Sequence, residues 1–66
     1  MSKDNYQLDV SRHGGPHIDR YNPDGTLVGR YRLDKSPIPH KGKLPPAVPN
    51  SDYEKFDAQA ARARAH

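Results

Sequence analysis

Apolar and polar residues alternate over Tyr6-Gln7-Leu8-Asp9-Val10, which predicts a short strand with Tyr6, Leu8 and Val10 on one face. A second strand signal comes in two arms, roughly Pro16–Tyr21 and Thr26–Leu33, around Asn22-Pro23-Asp24-Gly25. In that turn proline presets φ, aspartate suits the third position and glycine accepts the left-handed conformation of a bulge. A three-residue Pro23-Asp24-Gly25 loop pairs Asn22 with Thr26. Continued without interruption, this register sets Tyr21 opposite Leu27, Arg20 opposite Val28, Asp19 opposite Gly29, Ile18 opposite Arg30 and His17 opposite Tyr31. Strand side chains alternate, so one face is expected to hold His17, Asp19, Tyr21, Leu27, Tyr31 and Leu33. The other is expected to hold Ile18, Arg20, Val28, Arg30 and Arg32. Arg12-His13-Gly14-Gly15-Pro16 reads as a tight loop that brings His13 beside the hairpin.

The pattern then changes. Residues 34–50 contain five prolines, which exclude a regular helix or a central strand and favour an extended, polyproline-like path. Ile38, Leu44 and Val48 give this segment apolar anchors with which to wrap a sheet, and His40-Lys41-Gly42-Lys43 is a basic loop within it. Ser51-Asp52-Tyr53-Glu54 reads as a capping box, with serine at the N-cap and glutamate three residues later. The alanine-rich run that follows predicts a helix from Asp52 to about Ala65, its thin apolar face made by Tyr53, Phe56 and Ala60. The expected fold is therefore a single small α+β domain: a flexible tail (1–5), a strand and antiparallel hairpin (6–33), a proline-rich wrap (34–50) and a C-terminal helix (51–66).

Composition narrows the class. Sixty-six residues form a marginal core, and the absence of cysteine excludes disulfides and thiolate metal sites. Apolar residues make up 32% and charged residues 29%, with formal charge +3, a balance that suits an anionic partner. No apolar run approaches the roughly 20 residues that span a bilayer, so no membrane partner is expected. The first residues lack a signal-peptide pattern, which points to a cytoplasmic setting.

The dense chemistry lies on the hairpin. His13 and His17 flank a glycine-rich bend near Arg20, Arg30 and Tyr31. Histidine moves protons near neutral pH, so one imidazole could take a 2′-hydroxyl proton and another protonate the leaving oxygen, while arginine steadies the phosphoryl charge. Such a reaction cleaves a phosphodiester without metal. Arg20 and Arg32, with Lys41 and Lys43, are candidate phosphate contacts, and Tyr21 and Tyr31 candidate stacking surfaces. His13, His17 and His40 with Asp19 could in principle bind zinc. The four-residue spacing of His13 and His17 serves a metal on a helix, however, and Gly14-Gly15-Pro16 prevents one, so no metal and no cofactor are expected.

Gly14-Gly15-Pro16-His17-Ile18-Asp19-Arg20-Tyr21, with Asp24-Gly25 and Gly29-Arg30-Tyr31-Arg32, resembles the C-terminal toxin modules of bacterial polymorphic toxin systems, the contact-dependent inhibition and Rhs-type proteins. Several of these are small metal-independent ribonucleases of the barnase, EndoU, colicin and RelE-like group. The resemblance covers about twenty of the 66 residues. It implies a sheet with a histidine or arginine active site, an RNA substrate with tRNA among the candidates, action in the cytoplasm of a target cell, and a dedicated immunity protein. His17 is the first residue it carries over, then His13 and Arg30. Those folds usually have about four strands in a longer chain, a departure from this pattern. The rival expectation is a non-enzymatic module whose hairpin and proline-rich segment dock a protein or nucleic acid, because a thin core holds reacting groups poorly.

Overall fold

A computed structural model describes residues 3–10 and 14–65. It contains a three-stranded antiparallel sheet in the order β1-β2-β3, with β1 at Asn5–Asp9, β2 at His17–Tyr21 and β3 at Leu27–Tyr31. A single 3-10 turn over Asn50–Asp52 leads into helix α1, Tyr53–Ala65. The chain is thus α+β, as its pattern predicts. The expected loop containing His13 lies outside the described residues.

The hairpin turn forms as its residues dictate. The Asn22 amide donates to the Thr26 carbonyl at 2.8 Å and the Gly25 amide to the Asn22 carbonyl at 2.9 Å. Gly25 has φ 90°, a conformation that a side chain disfavours. Asp24 Oδ1 accepts the Thr26 amide at 2.8 Å, and this bond holds the Asp24 carboxyl below its usual range.

Beyond the turn the register departs from the uninterrupted ladder. Tyr21 pairs with Leu27 as expected, but Arg20 then pairs with Gly29, Asp19 with Arg30 and Ile18 with Tyr31. Val28 is the extra residue of a β-bulge. The two faces are corrected accordingly: Tyr31 joins Ile18 and Arg30 joins Asp19. On the other side of β2, Tyr6 pairs with Arg20, Leu8 with Ile18 and Asp9 with His17. The inner face therefore presents Tyr6, Leu8, Ile18 and Tyr31 together. A ladder without the bulge would place Arg30 against Ile18, where an unpaired charge is costly.

Helix α1 lies across this inner face, chiefly against β1. Tyr6, Ile18, Tyr31, Val48, Phe56 and Ala60 form the core, with Leu8 and Leu33 packed at its margin. Phe56 stands edge-on to Tyr6 at 5.9 Å and to Tyr31 at 6.3 Å between ring centroids. Tyr53, expected on the apolar face, is 41% exposed. The Lys35 ammonium lies 4.6 Å from its ring and 2.7 Å from Asp57 Oδ1, tying the turn after β3 to the helix.

The capping box does not form as read. The 3-10 turn begins at Asn50, so Ser51 is inside it, and the N-cap is Pro49, which makes no side-chain bond. Asp52 instead turns inward. It is fully buried and accepts a hydrogen bond from the Tyr6 hydroxyl, 46 positions away in sequence. Burial, and next this bond to a carboxylate, push the Tyr6 hydroxyl pKa well above its usual 10.0.

The proline-rich segment wraps the sheet. It doubles back after β3, where the Ile38 amide donates to the Arg30 carbonyl at 2.9 Å and Pro37 faces Tyr31 across an isolated bridge. It reverses again at Lys41 (φ 53°) and Gly42 (φ 80°), closed by reciprocal His40 and Lys43 backbone bonds. It then crosses the inner face over Gly29. A Cβ built at Gly29 would stand 2.2 Å from the Pro45 Cβ, so only glycine admits the wrap there. The Tyr31 hydroxyl donates to the Pro46 carbonyl and pins it. Among the described residues no helix is long and apolar enough to cross a membrane.

Two substitutions test this packing. Gly29→Ala should lower unfolding free energy by about 1–3 kcal/mol, read from urea denaturation, because Pro45 must move. Tyr6→Phe should act on the alkaline limb. An unfolded tyrosine ionises near pH 10 while folded Tyr6 stays neutral, so wild-type stability falls as pH rises through that range. The wild-type minus variant difference in melting temperature should shrink above pH 10 if this assignment is right, and stay constant if it is wrong.

Candidate functional site

The outer face of the sheet, away from α1, gathers charge by simple alternation. Asp9 and His17 are cross-strand partners, and Asp19 and Arg30 are partners on the other side of β2. His17 Nε2 lies 2.9 Å from Asp19 Oδ1 and 3.7 Å from Asp9 Oδ2, and Arg30 Nε lies 3.2 Å from the same Asp19 oxygen. The Tyr21 hydroxyl approaches the other Asp19 oxygen at 3.5 Å. His17 and Asp19 are only 5% and 7% exposed. These contacts are close, yet the N–H directions miss the acceptors: His17 Nε2, Asp19 Oδ1 and Arg30 Nε are all buried without a hydrogen bond.

Beside this cluster runs a groove of about 760 Å³ between the hairpin and the proline-rich wrap. Arg30 and Arg32 line it from the hairpin side, His40, Lys41 and Lys43 from the wrap, and His17 from the start of β2. None of its described lining residues is acidic, and none is Phe, Tyr or Trp. Leu27 and Leu44 also line it, 43% and 63% exposed, and offer apolar surface beside the charges. The groove exists because two local devices hold its walls apart. The bulge at Val28 sets the hairpin side, and the His40–Lys43 turn sets the other.

Of the residues singled out in the sequence, His17, Arg30, Arg32, Lys41 and Lys43 thus meet at one groove. Arg20 does not. The register puts it on the inner face, where its Nε lies 2.7 Å from Asp4 Oδ2 and its guanidinium 5.9 Å from the Tyr6 ring centroid. Tyr31 is fully buried and its hydroxyl is committed to Pro46, so it belongs to the core and offers no stacking surface. His13 lies outside the described residues. Sequence reasoning left out Asp9, whose part in the cluster follows from its pairing with His17. The alternation of Tyr6–Val10 contains that signal only once the strand is placed antiparallel to β2.

Compared with protein-family models, with curated proteins and with solved structures, the chain matches none.

Asp19 faces two cationic or potentially cationic groups from a buried position. Asp19→Asn should therefore destabilise the fold by about 1–3 kcal/mol in urea denaturation, the cost of leaving a buried polar group without its partner. A loss within about 0.5 kcal/mol of zero, typical of an exposed surface site, would show that the cluster does not hold the sheet.

Proposed function

We propose that this protein binds RNA along the cationic groove, gripping the phosphate backbone. The observation that carries this reading is the groove's lining: two arginines, two lysines and two histidines, with no carboxylate among its described residues. Eight acidic residues occur in the chain, so a lining free of them is a sorted charge pattern and not a reflection of composition alone. Arginine forks and lysine point charges suit phosphate oxygens. With no Phe, Tyr or Trp in the described lining, bases lack a large ring platform there. Recognition should then follow the backbone, with weak sequence preference and strong salt dependence.

The test is titration of a fluorescent single-stranded RNA at several salt concentrations. Lys41→Ala with Lys43→Ala should weaken binding uniformly across sequences. The log–log salt slope should fall by about 0.7 for each phosphate the variant no longer neutralises. Arg20→Ala, remote from the groove, should leave that slope unchanged. An unaltered slope in the double lysine variant would reject the reading.

Cleavage of the bound RNA is a second reading, favoured by one observation: His17 and His40 line the same groove. Two imidazoles there could divide the base and acid roles. With it go the toxin role and the immunity protein implied by the resemblance to polymorphic toxin modules. Purified protein should then cut RNA in the presence of EDTA, and His17→Ala should abolish cutting while the RNA affinity persists. Intact RNA after prolonged incubation in EDTA would remove metal-free cleavage.

A further inference from the structure

We propose that Asp9, His17 and Asp19 form a binding site for a divalent transition-metal ion of the zinc or manganese class. One donor atom from each residue lies within 4.8 Å of the other two. The contacts to His17 Nε2, 2.9 Å from Asp19 and 3.7 Å from Asp9, bracket the separation expected of ligands on one ion. A tetrahedral zinc with bonds of ~2.0–2.1 Å sets its ligand atoms about 3.3 Å apart.

A cluster of this kind needs something more, and burial supplies it. The His17 side chain is 6% exposed and that of Asp19 10%. Nε2 and Oδ1 both point into the cluster without a hydrogen bond. An imidazolium clamped between two carboxylates would also gather these groups, but it would aim its N–H at one of the oxygens, and here the direction misses. A ring nitrogen and a carboxylate oxygen held close together without a hydrogen bond between them fit a cation at that point.

The surroundings agree. Arg30 approaches Asp19 Oδ1 at 3.2 Å, the kind of partner that orients a ligating carboxylate. One imidazole nitrogen and two carboxylate oxygens suit zinc or manganese, whereas calcium requires six or more oxygens. Three protein donors leave a coordination position open. His17 also lines the groove, so the ion would stand at the groove's wall. The site arises from cross-strand pairing of Asp9 with His17, which the His13–His17 spacing does not register. It does not rest on RNA binding, and it competes with an acid–base role for His17, because the same Nε2 is engaged.

The experiment is calorimetric titration of the full chain, without RNA, using zinc chloride and manganese chloride, with calcium chloride as the contrast. One ion of zinc or manganese should bind per chain, with calcium much weaker. Asp9→Asn, at a side chain 32% exposed, should keep the fold and reduce affinity at least about tenfold. In parallel, imidazole resonances of the wild-type protein should shift at His17 as one equivalent is added. No saturable binding of either metal overturns the proposal. So does binding that Asp9→Asn leaves unchanged, or a metal-dependent shift confined to His40. If Asp9→Asn unfolds, the wild-type imidazole shifts still decide between His17 and His40.

Discussion

The extra residue at Val28 is the constraint on which the rest of the molecule depends. It shifts β3 by one position against β2, and this exchanges Tyr31 and Arg30 between faces. Tyr31 then reaches Phe56 and holds the Pro46 carbonyl, joining sheet, helix and wrap in one core. Arg30 is released to the outer face, where it meets Asp19 and the groove. A small domain has few ways to fill its interior, and an aromatic ring is the largest contribution one residue can make. The bulge secures that ring and keeps the charge out of the core in one step.

How much of this was legible in the sequence depends on how local the cause was. Asn22-Pro23-Asp24-Gly25 determines its own conformation, and the turn forms as read. The proline run and the alanine-rich helix follow equally from backbone restrictions of their own residues. The bulge does not, because its reason lies in Phe56 and Pro46, far along the chain. Ser51 shows the same limit. Its capping box is a local signal, overridden because Asp52 finds Tyr6 in the core. At the site, residues chosen for positive charge near the hairpin reached the groove where register allowed it. Arg20, one residue from its neighbour Asp19, was turned to the opposite face by alternation. Asp9 was invisible to a reading by spacing, since only sheet pairing brings it to His17.

The groove and the Asp9–His17–Asp19 cluster share a residue but differ in physical character. The groove is open, cationic and flanked by exposed leucines, so its interactions are screened by salt and spread over several contacts. In the Asp9–His17–Asp19 cluster the His17 and Asp19 side chains are largely buried, so their interactions are local and little screened. His17 belongs to both, lining the groove and facing the two carboxylates. A basic groove and a pair of carboxylates thus meet at a single side chain of a small scaffold.

The reversal at Lys41 and Gly42 has a consequence for how this scaffold could change. Its ends are tied by the reciprocal His40 and Lys43 bonds, its tip is exposed, and none of its residues belongs to the core. Lengthening an exposed, flexible loop is mild in energy: each doubling adds only about 0.6 kcal/mol of closure entropy. The same loop forms one wall of the groove. The width and charge of the groove can therefore drift by insertion or substitution at this tip, while Gly29, Pro45 and Tyr31 keep the wrap anchored. The fold separates the residues it needs to stand from those that can change the groove's wall.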